Sequence, residues 1–327
     1  MDIEILLWLQ EFRNTIGAFL AEFLSKMTYF GEMNVTLIIM ALIYWCLSKT
    51  FGSYLLMGWS GSRIVNGFLK VTACAYRPWI RDARIVPYGS SMTTATGYSF
   101  PSGHSMNAAS LFGGGVVRKD LPRFLRIVLG VILFLVAFSR IYLGVHTPQD
   151  ITIGVSGGLL VMWLADRLMK RLQTEPDKDL FVMWTGIVIA SLVALYAAFK
   201  SYPADYDAAG QVIVDGAKMA ADTYKGVGWC VGFLAGWVLE RRYIGFSTDV
   251  SMVTRVTRLV SGLLGYYIVS LIFVPVLKNL IPGTAGIIIS CFFQMFYVSF
   301  LFPWCIKQMD RIQNEQPVSE DIAKTEE

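Results

Sequence analysis

Between residues 33 and 306 the chain is a succession of nine apolar stretches with short polar breaks, and no water-soluble fold can hide that many. They run over 33–48, 53–70, 103–117, 124–142, 151–169, 180–199, 226–240, 259–281 and 284–306. Several fall short of the ~20 residues a helix needs to cross the hydrocarbon, so their ends must extend into the flanks. Charged residues make up 16% of the 327, against roughly 25% in soluble domains. With a mean hydropathy of +0.53, too little polar surface remains to cover a soluble fold. Disorder, a coiled coil and a disulfide scaffold are excluded on the same ground. The expected fold is all-α, a polytopic membrane helix bundle.

The two ends of the chain are more polar. Residues 3–26 are apolar on one face but carry Glu4, Glu11, Arg13, Glu22 and Lys26. That pattern predicts a helix lying at or dipping into the interface rather than spanning. The opening MDIE lacks a basic n-region, so no cleaved signal peptide is expected. Residues 307–327 read as a loose, polar, cytoplasmic tail. All five cysteines sit in apolar stretches without metal-ligand spacing, as buried free thiols do.

Basic residues set the orientation. Arg118, Lys119 and Arg123 share one connection, and Arg167, Lys170, Arg171 and Lys178 flank the next on that side. Arg241, Arg242, Arg255, Arg258, Lys307 and Arg311 follow there too. The positive-inside rule places these segments in the cytoplasm and the loops 79–100, 143–150 and 200–226 outside. A net charge of only +4, sorted by membrane side, argues against nucleic acid as a partner.

Charges beside the hydrocarbon are costly and mark function. They gather at helix ends that open on the external side: Lys70 and Arg77, then Ser102-Gly103-His104, then Ser139-Arg140, His146 and Asp150. Three cations, two imidazoles and a carboxylate on one face can hold and attack a phosphate. Ser102 reads as a helix N-cap whose first turn offers free N–H groups to an anion, with Gly103 allowing close approach. Thr147-Pro148-Gln149-Asp150 reads as a second helix start, with Thr147 as N-cap, Pro148 at N1 and Asp150 at N3.

The patterns K-x6-RP, PSGH and SR-x5-H-x3-D together resemble the three motifs of the type 2 phosphatidic acid phosphatase superfamily, which also includes glucose-6-phosphatases and vanadium haloperoxidases. All eleven specified positions are filled in order. The resemblance implies a catalytic core of six helices over residues 1–172. Residues 173–306 then form a C-terminal extension of about four further transmembrane helices, to which the motifs assign no role. A six-helix core would take 3–26 as its first helix, which argues for spanning.

The resemblance further implies that His146 is the nucleophile, that Asp150 orients it, and that His104 is general acid and then base. Lys70, Arg77, Arg140, the Ser102 hydroxyl and the Gly103 amide would bind phosphate oxygens. Ser139 would contact phosphate or simply hydrogen-bond Arg140 or backbone. No metal and no cofactor is expected. Arg81 and Arg84, just past the first motif, would read a second phosphate or headgroup, or act as interfacial anchors. Gly228-x3-Gly232-x3-Gly236 allows close helix packing, within the chain or across a dimer.

The implied activity is hydrolysis of a lipid phosphate or lipid diphosphate, of phosphatidic acid or undecaprenyl diphosphate type, through a phosphohistidine on the external face of the cell membrane. The lipid phosphate and the bilayer would be its partners. The same site would also serve a phosphotransferase or a soluble sugar-phosphate phosphatase. A lipid-binding or lipid-translocating protein without turnover is the alternative from another class.

Overall fold

The computed structural model describes residues 2–207 and 209–315, and these fold as an all-α bundle. The first helices are α1 (Asp2–Ile16), α2 (Ala18–Met27), α3 (Met33–Leu42), α4 (Lys49–Ala73), α5 (Pro78–Arg81), α6 (Gly103–Ala108) and α7 (Gly114–Val117). Next come α8 (Arg123–Tyr142), α9 (Pro148–Thr174), α10 (Asp179–Phe199) and α11 (Gly216–Leu239). The last are α12 (Met252–Ile268), α13 (Val274–Leu280), α14 (Gly283–Phe296) and α15 (Phe302–Glu315). Single π turns link α6 to α7, α12 to α13 and α14 to α15, so each pair continues as one rod.

The N-terminal segment does not behave as one helix. Gly17, at φ 84°, separates α1 from α2. Arg13 of α1 donates to Val86 O at 2.8 Å and Tyr142 O at 2.9 Å, which ties α1 to the loops at one end of the bundle. Trp8, Phe12 and Ile16 stay exposed on its other face, as an interfacial helix requires. Residues 18–31 and 33–47 pass the test of apolarity and length only together, bent by 58°. The predicted segment 3–26 is thus half interfacial helix and half the start of a broken span.

Among the described residues, five helices are long and apolar enough to cross a membrane: 123–142, 148–174, 176–199, 252–280 and 283–312. Three of the nine expected stretches do not meet that test. α4 and α11 carry too much polarity, and 103–117 is short. These are interior elements, with Trp59 of α4 and Phe233 of α11 fully buried. α4 packs on α9 on one side and on α11 on the other, and α11 is covered by α10 and α14. Interior helices face protein and a polar cavity, so they need not be apolar all round.

α11 starts at Gly216, ten residues before the predicted 226. Asp215 is its N-cap, accepting from Ala217 N at 2.8 Å. The glycine stripe sits in the α11–α14 contact, so it packs within the chain: a Cβ at Gly228 would lie 2.4 Å from Ile288 O. At the end opposite α1, Arg258 is fully buried and grips Asp310 with two bonds of 2.8 Å. The predicted loose tail is helical through Glu315, and 316–327 lie outside the described residues.

Candidate active site

α4 ends where Cys74 takes a left-handed conformation (φ 46°) and its N–H bonds Lys70 O at 3.1 Å. The chain turns there, and Pro78 at the start of α5 aims the Arg77 side chain inward. Arg77 donates to Thr96 O, Gly97 O and Val145 O, each at 3.0 Å, which stitches two loops together over the bundle end. Lys70 donates to Tyr98 O at 2.9 Å from the same side.

The other wall is α6 against α9. Thr147 and Asp150 close a reciprocal cap at the start of α9, as TPQD predicts. Gly154, one turn on, lets α6 come close, since a Cβ there would meet Ser102 O at 2.9 Å. Ser102 N then donates to Asp150 O at 3.0 Å, so the two helix starts are locked side by side.

His146 lies in the turn between α8 and α9 and is 1% exposed. Its Nδ1 is 3.3 Å from Asp150 Oδ2. That oxygen also accepts from Thr147 N at 2.8 Å and from the Ser99 hydroxyl at 2.5 Å. Arg77 Nη1 lies beside the ring, 2.8 Å from Nε2 and 3.5 Å from Nδ1. The Asp150 carboxylate can only accept, so Nδ1 carries the hydrogen toward it and Nε2 keeps its lone pair. Burial and the Arg77 charge hold this imidazole well below its usual value, against the pull of Asp150. Burial pushes Arg77 down to about 10, which leaves it charged at neutral pH.

A cavity of about 190 Å³ opens beside this pair. Lys70, Arg77, Gly103, His104 and His146 line it. His104 Nε2 has no hydrogen-bond partner there among the described residues. Arg140 lies fully buried outside the lining, donating to Thr28 Oγ1 at 2.7 Å, with Nε and Nη2 unpartnered.

Besides Arg140 and Asp150, which stand behind the lining, four expected site residues spend their polar groups elsewhere. Ser139 spends its hydroxyl on Val136 O at 2.7 Å within its own helix. The Ser102 hydroxyl caps α6, accepting from Ser105 N at 3.3 Å and Ser105 Oγ at 2.9 Å. Arg81 pairs with Asp2 at 2.7 Å, and Arg84 with Asp82 at 2.7 Å and Glu4 at 3.5 Å. Both arginines therefore hold the acidic start of α1 and do not reach a ligand in the cavity. Replacing both with alanine should lower phosphate release slightly and equally for a lipid monophosphate and a lipid diphosphate. A selective loss on the diphosphate, measured as kcat/KM, would return them to headgroup binding.

Sequence reasoning missed several lining residues. Arg63 and Asn66 lie on α4, seven and four residues before Lys70, a helical spacing that places all three on one face. Asp222, Thr223, Lys225 and Trp229 come from α11 and close the far wall. Ser99 had no spacing signal, because only the fold of the 79–100 loop carries it to Asp150.

The PAP2 superfamily profile matches residues 51–174, and the profile described as "PAP2 superfamily phosphatase, transmembrane extension" matches 224–314. Phosphatidylglycerophosphatase B of Bacillus subtilis is 32% identical over 171 residues, covering 48% of this chain and 80% of the relative. Lipid A 4'-phosphatase of Bacteroides thetaiotaomicron is 31% identical over 156 residues, 42% of this chain and 68% of the relative. Among solved structures, a transmembrane PAP2-type phosphatidylglycerolphosphate phosphatase from Bacillus subtilis matches at 29% identity and a TM-score of 0.43, over 52% of this chain and 85% of that one. With its three motifs gathered at one bundle end and most of a curated relative's length matched, the chain belongs to the PAP2 superfamily of membrane phosphatases, and it carries that superfamily's transmembrane extension.

Proposed function

We propose that the protein hydrolyses a lipid phosphate at this cavity, through a phosphohistidine on His146, on the extracytoplasmic face of the cell membrane. The observation that carries the reading is the His146 ring, with Nδ1 facing Asp150 and Nε2 beside Arg77 at the cavity wall. The relatives named above are lipid phosphatases, which supports the substrate class.

Arg77 lies beside the ring, close to both of its nitrogens, and its N–H groups bind the oxygens of an incoming phosphate through charge-assisted hydrogen bonds. The Nε2 lone pair attacks phosphorus in line, and the P–O bond to the lipid breaks. His104, protonated beside the bound dianion, gives its proton to the leaving oxygen. Now neutral, it takes a proton from water, whose oxygen attacks phosphorus and releases Nε2. Asp150 stabilises the imidazolium formed between the two steps, and Ser99 and Thr147 N hold Asp150 in position. Lys70, Arg77 and the Gly103 amide neutralise the charge growing on the equatorial oxygens, with the Arg140 charge behind them.

The deciding experiment is phosphate release over a panel of lipid monophosphates and diphosphates, with His146→Ala as control. Release by the wild-type protein into water separates a hydrolase from a phosphotransferase and from a non-catalytic binder. Cations do the neutralising, and among the described residues no three His, Cys, Asp or Glu side chains cluster as a metal site. Activity should therefore persist in EDTA, and orthovanadate, which mimics five-coordinate phosphorus, should inhibit. Complete loss in EDTA that Mg²⁺ restores would overturn the mechanism.

The face can be read by labelling. A cysteine replacing Asp207, in the loop before α11, should react with an impermeant thiol reagent added outside intact cells. One replacing Asp120, between α7 and α8, should not. The reverse pattern would put the site in the cytoplasm.

A further inference from the structure

Among the described residues, four cations line the cavity, Arg63, Lys70, Arg77 and Lys225, against one carboxylate, Asp222. A phosphomonoester brings roughly −1.5 to −2 charges at neutral pH. Lys70 and Arg77, at the His146 end, suffice for that. Arg63 and Lys225 are in excess, and neither belongs to the three motifs.

Arg63 precedes Lys70 by seven residues, two helical turns, so its Cα lies ~10 Å farther along the same face of α4. The Arg63 Nε is buried without a hydrogen-bond partner among the described residues. Between the two cations stands Asn66, 2% exposed, whose Nδ2 is also unpartnered. Buried donors are nearly always satisfied, and two free ones on one cavity wall mark the place of an acceptor.

The extension helix completes the arrangement. The Arg63 guanidinium lies 5.9 Å from the centre of the Trp229 ring, which holds its plane. Lys225 gives one proton to Asp222 at 2.7 Å and keeps two to donate. The two helices are pressed together here: a Cβ at Gly67 would meet Thr223 at 3.1 Å, and one at Gly226 would meet Arg63 O at 3.4 Å. This end of the cavity is therefore built jointly by α4 and the extension.

We propose that Arg63, Asn66 and Lys225 form a second anion subsite, which holds a further anionic group of the substrate joined to the scissile phosphate by a short polar linker. The assignment rests on the phosphatase reading of the His146 end. Exposure supports it: His146 is 1% exposed, whereas the Lys225 and Asp222 side chains are each 36% exposed. The terminal phosphate of a lipid headgroup lies farthest from the tail, at the closed end beside His146. A second anion between that phosphate and the tail lies nearer the opening, beside Arg63 and Lys225. The two phosphates of a diphosphate share one bridging oxygen and would both fall to Lys70 and Arg77.

The test uses the full-length protein in detergent and three substrates with one tail. They are a lipid monophosphate, a lipid diphosphate, and a lipid whose terminal phosphomonoester sits on a short polyol attached through a phosphodiester. Arg63→Gln and Lys225→Gln should each lower the ratio of kcat/KM for the phosphodiester substrate over the monophosphate by roughly ten- to a hundredfold, the worth of a charge-assisted hydrogen bond. The change should lie mainly in KM, and Arg63→Lys should recover part of it. Equal losses on both substrates would show that Arg63 only props the cavity open, and an unchanged ratio would show that water fills the subsite. Either result overturns the proposal, as does a selective loss on the diphosphate. No release by the wild-type protein from any of the three would instead overturn the phosphatase reading itself.

Discussion

His146→Ala should abolish phosphate release, whereas His104→Ala should lower it by roughly 10²–10⁴-fold, the usual worth of a positioned proton donor. Neither change should much alter the thermal midpoint, since His104 Nε2 makes no hydrogen bond among the described residues and His146 is held by Arg77, which keeps three carbonyl partners without it. The two losses differ in kind. An activated aryl phosphate leaves without help from an acid, so it should partly rescue His104→Ala and leave His146→Ala inactive. Equal rescue would mean that the roles of nucleophile and acid are wrongly divided. The pH profile gives an independent check. Attack needs the neutral imidazole, and burial beside Arg77 keeps His146 neutral well below the usual imidazole range. The acid limb assigned to His146 should accordingly lie below that range, and a limb at the ordinary imidazole position would contradict the burial argument.

Gly232→Ala should force α11 and α14 apart and, with them, distort the site. A Cβ at Gly232 would stand 2.2 Å from Phe292 O, and one at Gly228 would stand 2.4 Å from Ile288 O. Both clashes are with helix backbone, which cannot rotate away as a side chain can. Overpacking of this kind costs about 1–3 kcal/mol and sometimes more. Gly130→Ala on α8 is the matched control, because its Cβ would meet only Val116 at an ordinary 3.7 Å. We expect Gly232→Ala to lower the thermal midpoint in detergent by several degrees and to lose phosphate release, because α11 forms one wall of the cavity. Gly130→Ala should do neither. Equal midpoints for the two variants would remove the α11–α14 contact from the account of stability.

What could be read from the chain alone was local. Helix starts at Ser102 and Thr147 follow from caps that reach only three residues ahead, and the structure places both there. Apolar length and periodicity located most of the helices for the same reason. The motif residues could be named as a set, although nothing local says which of them share a surface.

Tertiary structure decided the rest. Ser139 turns into its own helix backbone, and Arg81 and Arg84 close on α1, an element some eighty residues away. Ser99 reaches Asp150 only because Arg77 and Lys70 pin the intervening loop. The polar stretch from Gly216 to Lys225 looked like a loop, since its charges suit water as well as they suit a cavity. Residues of α4 and α11 more than 150 positions apart share one wall because both helices are interior. A helix that faces protein and a polar cavity loses the apolar signature by which a sequence announces a membrane span.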